Sequence, residues 1–236
     1  MASKHLDITI DFETCALTVN AAPMQLAAVA WDRFVPLPSE EELRKPLNSF
    51  ANPFTSFDHQ LSIGIDLRSC FMLGLEFDKH TSDWWQQQPE EVRKGVQSLE
   101  PWPLPEAMEQ FIQWVKDMTE GYNSYTIWAQ GADFDIAKLN HYLAVCGIKA
   151  PWKHTQVRCA RTYILEHAHM LVPDISPEDA ASLPSVIYSH IPKMNTNLGG
   201  KYADFGSKHN AFFDCFQTSW NVWYCYQTEL SIISAL

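Results

Sequence analysis

Residues 8–14 form an apolar-rich run that ends in two carboxylates, Asp11 and Glu13, set two positions apart. A β-strand repeats every two residues, so this spacing puts both acids on the same side of a sheet. Residues 25–31 are mostly apolar and predict a second, central strand. A loop rich in Pro, Ser and Glu follows over 35–60, and residues 62–73 then alternate as a third strand. Three strands in succession predict a meander.

Beyond it the period changes. Residues 80–85 and 89–93 predict one or two short helices, with Thr81 or Ser82 as the cap, at the point where the chain leaves the sheet. Over 105–118 the residues Met108, Phe111, Ile112, Trp114, Val115 and Met118 recur at helical spacing and predict an amphipathic helix packed on the sheet. Residues 125–129 are β-branched and aromatic, a short strand broken by Gln130-Gly131. Helical spacing returns through Phe134, Ile136, Ala137, Leu139, Leu143 and Cys146 and stops at Gly147. Residues 157–167 predict a short edge strand and a helix beginning near Arg161; 171–208 carries little periodic signal and reads as a long loop with short helical pieces. The last helix starts near Asn210 and is rich in aromatic residues. The order implies an α/β fold, an antiparallel meander joined to parallel strands and flanked by helices. It is read as one domain over 1–236, with an inserted helical region at about 75–105.

Composition narrows the class. With 46% hydrophobic, 13% aromatic and 19% charged residues among 236, the chain suits one well-buried domain rather than a disordered segment. Its formal net charge of −11 argues against coating a polyanion through its overall field. A nucleic-acid enzyme remains allowed, because cations bound by several acids reverse the local sign where a phosphate sits. The six cysteines contain no C-x-x-C pair, which suits reduced thiols and disfavours zinc. No signal-peptide pattern precedes the first strand and no apolar run approaches bilayer length, so the expectation is a cytoplasmic protein without a membrane partner.

Two acids side by side repel unless a cation lies between them, and hard oxygen ligands suit magnesium or manganese. By itself Asp11-x-Glu13 is weak, since a chain with 14 Asp and 14 Glu holds about one such match by chance. Two further elements meet it. In Gly131-Ala132-Asp133-Phe134-Asp135 a strand turns into a helix, the end of an α/β sheet where ligands bind. Asp135 is the acid chosen for the site; Asp133 is placed either there or as the helix cap. In His209-Asn210-Ala211-Phe212-Phe213-Asp214 a histidine before a helix and an acid one turn inside it can address one site.

The order Asp11-x-Glu13, then Phe134-Asp135 after a strand, then His209 with Asp214 on the last helix resembles the DEDDh group of 3′–5′ exonucleases across nearly the whole chain. Thr81-Ser82-Asp83-Trp84-Trp85, Pro89-Glu90-Glu91-Val92-Arg93 and Trp128 before Gly131 resemble the ribonuclease-T-like branch that includes exonuclease A of T-even bacteriophages. The resemblance implies a ribonuclease H-like fold and a two-metal phosphodiesterase. Asp11, Glu13, Asp135 and Asp214 would hold two magnesium or manganese ions and His209 would act as general base. It further implies single-stranded 3′ ends as substrate, DNA ahead of RNA given the phage-like neighbourhood, in a bacterial or phage-infected cytoplasm. Phe12 and Thr14 would bind the terminal nucleotide, Phe12 as a wedge, although a core role for Phe12 stands beside that one. Trp84 and Trp85 either stack on bases or anchor the inserted helices. Cys159-Ala160-Arg161-Thr162 departs from a family stretch that often reads Asp-x-Arg-Thr, a cysteine standing where the acid would be. Arg161 is placed either on a phosphate or beside a carboxylate. A homodimer, as in several relatives, could use Trp220, Trp223, Tyr224 and Tyr226; core packing accounts for them equally.

Overall fold

The computed structural model describes residues 4–36, 59–97, 99–171 and 209–235. The loops read over 35–60 and 171–208 lie, but for their ends, outside these residues.

Strand β1 (His5–Thr14) alternates cleanly. Leu6, Ile8, Ile10 and Phe12 enter one core, while Asp7, Thr9, Asp11 and Glu13 take the other face. A strand with a polar face normally turns it to water. Here Asp7 and Thr9 are fully buried and Glu13 nearly so, so this face must be satisfied by other parts of the chain. Strand β2 (Pro23–Trp31) runs antiparallel to β1 with Asp7 opposite Trp31 and Glu13 opposite Gln25, and β3 (Gln60–Ile65) pairs antiparallel with β2. This is the predicted meander.

The third strand is shorter than its alternation suggested. It ends at Ile65 because the Asp66 carboxylate accepts from the Arg68 N–H at 3.0 Å and its carbonyl accepts from the Ser69 hydroxyl at 2.6 Å, which turns the chain into helix α1 (Leu67–Met72). Helices α2 (Lys79–Gln87) and α3 (Glu90–Gln97) fill the inserted region. The cap of α2 is Asp78 rather than Thr81 or Ser82; its carboxylate accepts from both the N–H and the hydroxyl of Thr81, so Thr81 is the cap's donor. The chain returns through β4 (Pro101–Trp102), a two-residue strand parallel to β3 that no periodicity could signal. A Cβ on Gly64 would stand 2.9 Å from the Leu99 Cβ, so only glycine lets this return segment close on β3.

Helix α4 (Leu104–Thr119) leads to β5 (Ser124–Ala129), which pairs parallel to β1. After a turn and α5 (Ala137–Val145), β6 (Val157–Cys159) adds parallel to β5, and α6 (Ala160–Leu171) follows. The last described element is α7 (Ala211–Ala235). The sheet order β4-β3-β2-β1-β5-β6 places the acid-bearing strand at its centre, the mixed sheet that the sequence implied.

Helices α4 and α5 cover the apolar face of β1 through Leu104, Met108, Phe111, Val115, Leu139 and Tyr142. The polar face is covered by α6 and α7, with Ala27, Val29, Trp31 and Trp128 meeting Ile164, Phe212, Phe216 and Trp223. The small Cys215 lets α7 approach closely, its thiol 3.6 Å from the Thr9 carbonyl and 3.3 Å from that of Ala27. Trp220 and Trp223, named for an interface, are buried in this core. Under the same helix Arg33 pairs with Asp7, and the Trp128 Nε1–H donates to Asp7 at 2.7 Å, so a fully buried carboxylate is held by a cation and an indole.

Candidate active site

The face of β1 left polar by its alternation opens, at its C-terminal end, into a cavity of about 530 Å³. Asp11, Glu13, Asp135, His209 and Asp214 all line it, joined by Gln130, Phe134, Arg161, Gln217, Thr218 and Asn221. Residues from both ends of the chain therefore meet in one place. Carboxylate oxygens of Asp11, Glu13 and Asp214 lie within 4.8 Å of one another. Asp135 lies outside that tight trio and lines the same cavity.

Each acid is placed by a backbone device. Asp11 and Glu13 share a face by strand period. Asp135 sits in a π-helical turn, Ala132–Ile136, that follows Gly131 and precedes α5; such turns re-aim side chains at functional positions. Its Oδ1 accepts from the Phe12 N–H at 3.3 Å, which ties the turn to β1. A Cβ at Gly131 (φ 157°) would stand 3.2 Å from Arg161 Nη2 and 3.3 Å from Asp133 Oδ1, close enough that one of these side chains would have to give by a few tenths of an ångström. Asp133 does not cap the helix, because the chain enters it through this turn with Gly131 at the cap position and no side-chain bond.

Asp214 is fixed by its own helix terminus. Asn210 caps α7, accepting from the N–H groups of Phe212 and Phe213, and Gln25 on β2 accepts from the Ala211 N–H at 3.1 Å, which seats the terminus on the sheet. One Asp214 oxygen accepts from the His209 N–H at 3.0 Å. His209 has φ 70°, the one non-glycine residue with positive φ among those described. A side chain in that conformation is strained by about 1–3 kcal/mol and persists only where surroundings enforce it.

Burial and mutual repulsion govern the electrostatics of the cluster. Burial, and then the charges of Asp135, Glu13 and Asp214, raise the Asp11 carboxyl well above the usual carboxylate range. Burial followed by Asp214 and Asp135 pushes Glu13 up to about 8. Asp135 is pushed up to about 7 by burial, opposed by the Phe12 N–H and by Lys138 and Arg161. Packed carboxylates of this kind are relieved by a hard cation shared among them, and an all-oxygen donor set fits magnesium or manganese. At the cavity wall Gln130 Oε1 and Asn221 Oδ1 are buried without a hydrogen-bond partner among the described residues, further acceptor capacity beside the acids.

Of the two residues named for the terminal nucleotide, Phe12 packs edge-on against Tyr142 at 5.3 Å and is 4% exposed, with part of its surface lining the cavity. The Thr14 hydroxyl donates to the Ala16 carbonyl at 2.8 Å. The tryptophan pair divides its roles: Trp85 Nε1–H donates to the Thr14 carbonyl at 3.1 Å and anchors α2, whereas Trp84 is 39% exposed. Arg161 lines the cavity, while Cys159 lines a different one beside Arg33 and Tyr163.

Several residues escaped the sequence reading. Gln217, Thr218 and Asn221 follow Asp214 by three, four and seven positions, a polar stripe on an otherwise aromatic helix, and that period is the signal that would have found them. Lys138, almost fully buried, donates to the carbonyls of Leu17 and Thr18 and lies 3.5 Å from the Phe134 ring centroid. Desolvation lowers its amine to about 8, against the attraction of Asp135.

A family model described as the 3′–5′ exoribonuclease Rv2179c-like domain matches residues 6–179. The chain belongs to this family. The matched span of this Rv2179c-like domain includes Asp11, Glu13 and Asp135 and ends before His209 and Asp214. Among solved structures it is similar to the nuclease domain of 3′hExo, a DEDDh family member, bound to rAMP. Identity there is 11% and the TM-score 0.51, over 98% of this chain and 94% of that one. It is also similar to cell-death related nuclease 4 (CRN-4), at 16% identity and a TM-score of 0.49 over 96% of this chain. The chain spans 64% of the length of CRN-4. No curated protein matches it. The family-level expectation of a 3′–5′ exonuclease is met, and the 3′hExo likeness is one of fold. No helix among the described residues is long and apolar enough to cross a membrane.

Proposed function

We propose that this Rv2179c-like domain hydrolyses phosphodiester bonds one nucleotide at a time from the 3′ end of single-stranded nucleic acid, releasing nucleoside 5′-monophosphates. The observation that carries the reading is the convergence of Asp11, Glu13, Asp135, Asp214 and His209 on one cavity from positions spread along the whole chain. Asp11, Glu13 and Asp214, with Asp135 beside them, would hold two magnesium or manganese ions. Bound there, such ions would lower the pKa of the attacking water and would stabilise charge on the leaving 3′ oxygen.

The chain's own residues supply the rest. His209 stands at the rim with its backbone fixed to Asp214, and its imidazole takes the proton of the attacking water. Water oxygen bonds to phosphorus as the bond to the 3′ oxygen breaks; that oxygen takes a proton from solvent water, and the imidazole returns its own to solvent. Among the described residues Arg161 is the one lysine or arginine lining the cavity, placed to meet a phosphate oxygen. Lys138 holds the β1–β2 turn against Phe134 and so shapes the neighbouring wall. Residues 1–236 act as one exonuclease domain in this reading.

RNA is the first substrate proposed, because the matched family is described by exoribonuclease activity. DNA is the second, on the resemblance of residues 81–85 to the phage branch. The test is digestion of matched 5′-labelled RNA and DNA single strands, with free or phosphorylated 3′ ends, in magnesium, manganese or chelator. Metal-dependent shortening from the free 3′ end supports the reading. A blocked end degraded as fast as a free one overturns its polarity, and the faster of the two sugars decides the substrate.

A further inference from the structure

We propose that Trp84 is a positioning residue for His209: the inserted helix α2 holds the imidazole in its working orientation through a direct ring contact. The inference rests on the exonuclease reading above.

The Trp84 and His209 ring centroids lie 4.9 Å apart with planes at 89°, an edge-to-face contact. Trp84 in turn meets Trp85 edge-on at 5.0 Å and 77°, and Trp85 is bonded to the Thr14 carbonyl on β1. The N-terminus of α2 is tied to the residue that follows the same strand, the Asp78 N–H donating to the Cys15 carbonyl at 3.0 Å. A rigid path therefore runs from the strand bearing Asp11 and Glu13 through both indoles to the histidine. The next helix supports it, since a Cβ on Gly95 of α3 would stand 3.5 Å from the Asn210 side-chain amide.

The geometry of His209 gives that contact its weight. Its main chain is set by the N–H to Asp214 and by φ 70°, and the edge-on Trp84 ring is placed to bias the side-chain torsions that aim the imidazole. A base displaced by about 1 Å loses on the order of 100-fold in rate. Trp84 also faces a second cavity of about 380 Å³, shared with Phe12, Glu13, Leu17, Trp85 and Phe134. One indole thus touches the histidine and also lines a recess of mixed aromatic and polar character beside Glu13.

A double-mutant cycle tests this with Trp84→Ala and His209→Ala, scored as kcat and KM for mononucleotide release from a labelled single strand. Melting temperature and manganese affinity are measured on each variant. Trp84→Ala is expected to lower kcat by about 10- to 100-fold in the native background, with KM changed by less than about threefold. In the His209→Ala background the same change should alter kcat by less than about twofold. Trp84→Phe should recover most of the rate, and Trp84→Leu, which fills the space without a ring, should not. A readout independent of turnover is the His209 ring resonance, identified by its loss in His209→Ala, which should move once the Trp84 ring current is gone. Equal losses of kcat in both backgrounds, a rise in KM alone, or an unmoved resonance overturns the proposal while leaving the exonuclease reading intact. A native protein that shows no metal-dependent release of mononucleotides overturns that reading and this proposal with it.

Discussion

Glu13→Gln should make the metal-free protein more stable at pH 8, although it removes a group from the candidate active site. Glu13 is raised from 4.5 to about 8 by burial and by its acidic neighbours. A carboxyl that binds its proton more tightly folded than unfolded contributes stability fully present below pH 4.5, and that contribution is lost as pH rises through about 8. At about 1.4 kcal/mol per unit the full shift corresponds to about 5 kcal/mol. Asp135, raised to about 7, shares the same repulsion, so the two contributions overlap rather than add. The expected gain from neutralising Glu13 at pH 8 is therefore about 3–5 kcal/mol, or on the order of 10 °C in Tm for a chain of this size. The assay is urea or thermal unfolding of native protein and Glu13→Gln in chelator at pH 5, 6, 7 and 8. Taking the difference between the two proteins cancels the titration of groups remote from Glu13 and keeps its coupling to Asp11, Asp135 and Asp214. The gap should be small at pH 5 and widest at pH 8, and millimolar manganese should close or invert it, because metal stabilises only the native site. A gap that does not change with pH would refute the reasoning.

Arg33→Ala strands the fully buried Asp7 carboxylate beside Trp128 and is expected to cost about 3–5 kcal/mol, read from the urea midpoint. Trp85→Phe removes the indole bond to the Thr14 carbonyl and is expected to cost about 1 kcal/mol, measured the same way. Affinity for a single strand, followed by fluorescence anisotropy in calcium, should depend only weakly on salt, with a log–log slope shallower than about −2. The reason is a net charge of −11 and, among the described residues, a single lysine or arginine, Arg161, at the cavity wall; a steep slope would point to a basic path elsewhere.

The parts of the fold legible in the sequence were those written in a local period. The strand bearing Asp11 and Glu13, the helix over Leu104–Thr119 and the aromatic last helix are each visible that way. Errors fell where one side chain overrides the period: Asp66 turns an alternating run into a helix, Asp78 caps α2 from three residues before Thr81, and Gly131 opens a π-helical turn in place of a capped helix. The acids and histidine could be named in advance because their order along the chain resembles a known pattern, whereas their meeting depends on the central place of β1. Gln25 and Lys138 were illegible for a different reason. Each serves a partner more than a hundred positions away, Ala211 for the first and the Leu17–Thr18 carbonyls for the second, and nothing in their neighbouring residues records it.

The most direct test of the account is a calorimetric titration of manganese into the native protein and into Asp11→Asn and Asp214→Asn. The native protein is expected to take up two ions per chain, at least one of them lost in each variant, with proton release that grows at lower pH as raised carboxyls give up their protons to the metal. Native protein that binds no manganese, or variants that bind as it does, would contradict the claim that these carboxylates grip shared cations.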